Sequence, residues 1–174
     1  MKKGTLIVLV LVVVLVAIFA TGIRIYETMT IDYSQPVGEL IQAGNYSSVS
    51  IQPENYKIKK NGVEKIEVKL FTFHFPANEY REEYVLKAIS DKGYRPANFT
   101  ELLHYKISHP NPKINIIALG SVYIDVARYK NSPFIHEFID SNNIVKYRLD
   151  EDGARLGYFS TNNLNEIGFL AVKN

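Results

Sequence analysis

Gly4 to Ile23 form an unbroken run of twenty residues without a charged side chain, nearly all Leu, Val, Ile, Ala or Phe. At about 1.5 Å per residue such a run makes a helix of about 30 Å, the thickness of the hydrocarbon core of a bilayer. Val is a mediocre helix former in water. In lipid the backbone must satisfy its own hydrogen bonds, so a helix is the state open to a single span. Met1-Lys2-Lys3 on the short flank faces only Arg24, then Glu27 and Asp32, on the far flank. That excess of positive charge predicts an N-terminus held in the cytoplasm. The expectation is a single-pass protein of the cell membrane, with the membrane as a partner through residues 4–23. Its parts are a cytoplasmic tip (1–3), a transmembrane helix (4–23), a linker (24–30) and one extracytoplasmic domain (31–174). Ala20-Thr21-Gly22 would also suit a signal peptidase cutting before Ile23, but the run exceeds the 7–15-residue core of a signal peptide, which favours the anchor.

The rest of the chain is electrically balanced. Of 20 Lys+Arg and 18 Asp+Glu, the first thirty residues take Lys2, Lys3, Arg24 and Glu27, leaving 17 of each sign. A balanced domain lacks the electrostatic footprint of a nucleic-acid binder. The chain has no cysteine, which excludes a disulfide framework, an Fe–S cluster, a thiol nucleophile and a lipidated N-terminus.

Ile31 and Tyr33 suggest a short strand. Ser34-Gln35-Pro36 then opens a helix that Gly44 closes. Tyr46–Ile51 reads as a weak strand and Pro53-Glu54-Asn55 as a turn. Asn61-Gly62 signals a tight turn before the best strand, Val63 to Phe75. There Ile66, Val68 and Leu70 alternate with Glu67 and Lys69 before Phe71, Phe73 and Phe75 shift the phase, which implies a bulge or a two-sided core. Asn78 caps a helix running to Lys92, stopped by Gly93. Asn98 and Glu101 form a capping box for a second helix, which presents Phe99, Leu102, Leu103 and Lys106 before His109-Pro110 ends it. Short strands follow at 114–119, 122–127, 134–138, 144–149, 157–159 and 167–172. Turns are expected at Asn131-Ser132, Asn142-Asn143, Asp152-Gly153 and Asn162-Asn163. The fold class is α+β: two to three helices, then short antiparallel strands, in one domain.

Few residues argue for chemistry. His74, His104, His109 and His136 have no metal-ligand spacing, so neither a metal nor a cofactor is expected. Asp150-Glu151-Asp152-Gly153 lacks the later oxygens of a calcium loop and reads as a charged hairpin turn. Ser121 follows Gly120 without the second glycine of a nucleophile elbow; a glycine required for close strand packing explains the pair better. No carboxylate pair can be assigned to acid–base work. Asn98 in Asn98-Phe99-Thr100 fits a glycosylation pattern but is better explained as a helix cap.

Several segments carry resemblances. Lys2-Lys3-Gly4-Thr5-Leu6-Ile7 resembles a type IV prepilin leader, with Leu9 where the fifth mature residue would be Glu. The span and its Tyr26-Glu27-Thr28-Met29 exit resemble the start of LemA-type proteins, without their helical body. Tyr94-Arg95-Pro96-Ala97 with Glu101-Leu102-Leu103, then Ile117 to Val122, then Gly168 to Lys173, resemble an uncharacterised candidate-phylum bacterial family with the order RPA, ELL, ALGS, FLAV. More distantly, the Arg-Pro helix start, Gly-Ser strand and closing Gly-Phe strand resemble the sulfatase-modifying-factor branch of the C-type-lectin-like fold. That likeness implies a lectin-like domain. It does not carry the oxidase activity, which needs cysteine, and Leu102 and Val122 stand where that branch usually has Trp.

In such a fold the first and last strands pair, setting Ile167–Val172 beside Ile31 and leaving the loops between Ile124 and Asn165 at the far end. Tyr, Asn and Arg make adaptable binding surfaces. Arg128, Tyr129, Arg148, Arg155, Tyr158, Asn162 and Asn163 are therefore the expected ligand-binding residues, facing a protein or glycan. The function expected is a non-catalytic binding or adhesion module. A structural subunit of a surface filament is the alternative, and an enzyme the least supported.

Overall fold

The computed structural model describes residues 27–73, 82–153 and 167–174. Among these residues nine strands form one sheet: β1 (Glu27–Asp32), β2 (Ser48–Val49), β3 (Val63–Thr72), β4 (Tyr94–Pro96), β5 (Asn115–Ile117), β6 (Tyr123–Ile124), β7 (Lys130–Ile139), β8 (Val145–Gly153) and β9 (Ile167–Lys173). Three helices join them: α1 (Val37–Ala43), α2 (Glu82–Ser90) and α3 (Phe99–Ser108), with a 3-10 turn at Pro53–Tyr56. The strand order is β1-β3-β9-β5-β7-β8-β2, with β4 added to β9 and β6 to β7.

Both faces of the sheet are covered. Val68, Ile116, Leu149 and Leu170 share one core with Leu40 of α1 and with Leu102 and Leu103 of α3. Phe71, Ile117, Phe134 and Phe169 share the other with Val85 and Ile89 of α2. The phase shift in β3 follows from this. Ile66, Val68 and Leu70 face the α1–α3 layer, and Phe71 and Phe73 face α2. Pairing to β9 runs without a break from Val68 to Thr72, so the two-sided core, not a bulge, is the cause.

The fold differs from the expected α+β domain of short antiparallel strands with a lectin-like plan. It is a mixed α/β structure with helices interleaved along the chain. β3 and β7 each have ten residues, and two pairs, β5–β9 and β2–β8, are parallel. The last strand pairs with β3, β4 and β5, while β3 stands between it and β1. The polar dipeptides read as turns explain the misjudged lengths. Asn131 pairs with Gly153 and Ser132 with Asp152, inside one long β7–β8 ladder. The turn at Asn142-Asn143 is present, with Asn143 at φ 64°.

The expected membrane helix and the placement in the cell membrane are likewise corrected. Among the described residues no helix is long and apolar enough to cross a membrane. The longest, α3, has 10 residues and so spans about 15 Å, half a hydrocarbon core. Residues 4–23 lie outside the described residues, as do Asn78 and the strand expected at 157–159. β1 takes in residues 27–30 of the expected linker.

Candidate functional site

Helix α3 is buried on nearly every side, including Phe99, Leu102, Leu103 and Tyr105 and the two charged residues Glu101 and Lys106. A helix packed all round has no solvated face on which to place a charge, so each needs partners from the fold.

At its N-terminal end the helix starts with the predicted capping box. Asn98 Oδ1 accepts from the Glu101 backbone N–H at 3.0 Å, and Glu101 Oε2 accepts from the Asn98 N–H at 2.8 Å. Arg95 adds a bidentate pair, Nη1 to Oε2 at 3.0 Å and Nη2 to Oε1 at 2.7 Å, and the Tyr33 hydroxyl donates to Oε1. Burial alone would raise the Glu101 carboxyl. The bonds from Arg95, Tyr33 and the Asn98 backbone outweigh it and hold the group below the usual carboxylate range. Gly120-Ser121 closes this end. Ser121 Oγ accepts from the Phe99 N–H at 2.9 Å, and a Cβ on Gly120 would lie 2.6 Å from the Ala97 and Pro96 carbonyl oxygens. The Arg-Pro, Glu and Gly-Ser segments thus fasten one helix start. Glu101, with its oxygens occupied, has no lone pair positioned for a ligand.

The C-terminal end is different. Lys106 keeps 3% of its surface exposed. Its Nζ donates to the Pro110 carbonyl at 2.7 Å and the Gly44 carbonyl at 3.2 Å. The ammonium also lies 4.6 Å from the Tyr147 ring centroid and 5.6 Å from that of Tyr46, within cation–π range. No carboxylate among the described residues pairs with it. Burial pushes the amine below the ordinary lysine range.

Lys106 lines a cleft of about 560 Å³ between the loop after α1, the end of α3 and the start of β8. That volume suits a small ligand. The lining includes Asn45, Tyr46, Asn111, Lys146 and Tyr147, and among the described residues no acidic residue or histidine. Lys146 reaches Asp140 at 2.7 Å. The Tyr46 ring packs against the turn: a Cβ on Gly44 would fall 2.3 Å from it, so any larger residue there would push the ring away. Asn45, at φ 50°, reverses the chain to permit this. The Tyr46 hydroxyl is buried without a hydrogen-bond partner among the described residues. Such an orphan costs about 1–3 kcal/mol. The Tyr147 hydroxyl, by contrast, donates to Glu137 at 3.2 Å.

The residues expected from sequence to bind a ligand scatter. Arg128 and the half-exposed Tyr129 stand together on the β6–β7 hairpin. Its turn is organised by Asp125 Oδ1, which accepts from the Ala127 and Tyr129 N–H groups at 2.9 Å. Arg148 lies in mid-strand opposite His136, five residues along the ladder from Asn131 and so about 17 Å away. It donates to Ser48 Oγ at 3.1 Å and stacks over Phe138. The structure brings Arg128 and Tyr129 together and leaves Arg148 apart from them. Arg155, Tyr158, Asn162 and Asn163 lie outside the described residues, as does His74. His104 sits 3.3 Å from the Asp32 carbonyl and His109 3.1 Å from Glu27. Among the described residues no group of three or more His, Asp or Glu side chains could hold a metal ion. Asp150 to Gly153 belong to β8 rather than to a hairpin turn.

The cleft escaped sequence reasoning because three distant segments build it. Its one local signal is Lys106 in phase with Phe99, Leu102 and Leu103, a charge on an apolar face. No protein-family model, curated protein or solved structure matches this chain.

Proposed function

We propose that the domain is a binding module that holds the anionic group of a ligand, a carboxylate or phosphate, in the Lys106 cleft without transforming it. The observation that carries this reading is a buried ammonium that has no counter-charge among the described residues, beside a hydroxyl that has no partner among them. Lysine has three N–H donors, and two are committed to the carbonyls of Pro110 and Gly44. The third donor and the Tyr46 hydroxyl together offer two bonds to an anion, and charge-assisted bonds of that kind are the strong ones. The ligand reaches them when the Tyr46 ring lifts off Gly44. Among the described residues its lining holds no carboxylate or histidine, the commonest general bases, and that supports reading the cleft as a binding site.

Titration of the full-length chain with sodium acetate and with inorganic phosphate, at constant ionic strength, tests this by amide chemical shifts. Saturable shifts at Tyr46, Ser47 and Asn111 are expected for at least one of the two, and none in Lys106→Met. Tyr46→Phe should weaken binding about threefold to tenfold, the value of one hydrogen bond. Unchanged titrations in Lys106→Met would overturn the proposal.

A further inference from the structure

On the face of β7 and β8 that packs against α3, cross-strand pairs follow one another in register: Ile135 with Leu149, Glu137 with Tyr147, and Ile139 with Val145. Side chains two residues apart on a strand point the same way. The first pair is fully buried in the core and the second borders the cleft through Tyr147. The third lies two residues further along the ladder. There Ile139 is 63% exposed and Val145 49%. Two facing aliphatic residues open to solvent thus extend the core row beyond the cleft, and Val145 also lines the cleft itself. From Tyr147 to Val145 is about 7 Å along the strand.

We infer that the ligand is an amphiphilic organic anion: its head group meets Lys106 and Tyr46, and its aliphatic tail lies over Val145 and Ile139. The inference rests on the Lys106 cleft being the anion site. Charge chooses the head, since the cleft offers the Lys106 ammonium and, among the described residues, no lining carboxylate to pair with it. Shape and polarity choose the tail, since the cleft leads directly onto an apolar strip without a cover among the described residues. A compact polar anion such as inorganic phosphate would use the first half and leave the strip bare. A purely apolar molecule would leave the ammonium and the Tyr46 hydroxyl unsatisfied.

A series of linear carboxylates, from acetate through butanoate and hexanoate to octanoate, titrated below micelle formation into the full-length chain, tests this. The strip covers one side of the tail, about half of full burial, so the expected gain is about twofold in affinity per methylene. That is about sixtyfold from acetate to octanoate. Ile139→Ser, at an exposed position, should flatten the series while leaving acetate affinity unchanged, and Ile144→Ser, on the opposite face, should leave the whole series as it is. If acetate and octanoate bind equally, the tail assignment fails and the anion site stands. If no carboxylate binds, the reading of the cleft fails for carboxylates and takes this inference with it. If octanoate binds Lys106→Met as tightly as the wild type, the strip acts alone and the inference is overturned.

Discussion

Glu101 and Lys106 stand five residues apart on one buried helix, and the fold treats them in opposite ways. Glu101 receives a guanidinium, a phenol and its own cap, so a group that burial would neutralise stays ionised. Lys106 receives two carbonyls and two aromatic faces, and burial acts on it without a balancing carboxylate. A buried charge held by its own fold is a fastening. One left without a counter-charge among the described residues, in a cleft beside a hydroxyl without a partner there, is where we propose that a ligand binds. The tyrosines repeat the contrast: Tyr33 has its hydroxyl on Glu101, while the Tyr46 hydroxyl meets no partner among the described residues.

The comparison can be broken by substitution. Glu101→Gln should be the most damaging change, costing about 2–3 kcal/mol in urea unfolding. Removing one partner of a buried pair strands the other, although the partial exposure of Arg95 moderates the loss. A cost below about 1 kcal/mol would mean that the N-terminal end is not the fastening described. Tyr33→Phe should cost about 1.5–2 kcal/mol, the value of a hydrogen bond to a charged group. Tyr46→Phe should move the other way and stabilise by about 1 kcal/mol, because it removes an orphan hydroxyl; thermal unfolding of the two variants side by side reads the opposite signs. Lys106→Met keeps an apolar stem of similar length, and its stability should stay within about 1 kcal/mol of wild type while anion binding is lost.

The smallest effect is the pH dependence, and it separates the ends by window. Glu101 is depressed in the fold, so its contribution is present above the unfolded carboxyl value of 4.5 and is lost as pH falls through the lower folded value. Lys106 is also depressed, but as a base. Between its folded value and the unfolded 10.5 the unfolded chain binds the extra proton, so stability rises with pH there. Wild type should therefore gain on Lys106→Met between neutral pH and 10.5, the raised tyrosines being common to both. A difference that stays flat across that range would show that Lys106 is not desolvated.

Legibility followed distance along the chain. The capping box at Asn98 and Glu101 was readable because both partners lie within one turn, and Gly120 because a close approach demands glycine. The β3 phase shift announced two cores without saying which helices fill them. Asn131-Ser132 and Asp152-Gly153 misled because polar residues signal turns when read singly, whereas here each dipeptide pairs with the other. The parallel pairs β5–β9 and β2–β8 carry no local signal, and the expected binding residues were chosen by type, without the register that sets Arg148 apart from Arg128.

By itself the sequence determined the local items: where α3 begins, which residues of β3 alternate, and that Lys106 falls in phase with Phe99, Leu102 and Leu103. Those depend on helical and strand periods of a few residues, which the chain states directly. Tertiary structure alone decided that Glu101 would meet Arg95 and Tyr33. It also decided that Gly44, Tyr46, Pro110 and Tyr147 would converge on Lys106 with no carboxylate among them. The physical reason is that a buried charge is defined by what surrounds it, and those surroundings come from segments up to a hundred residues apart.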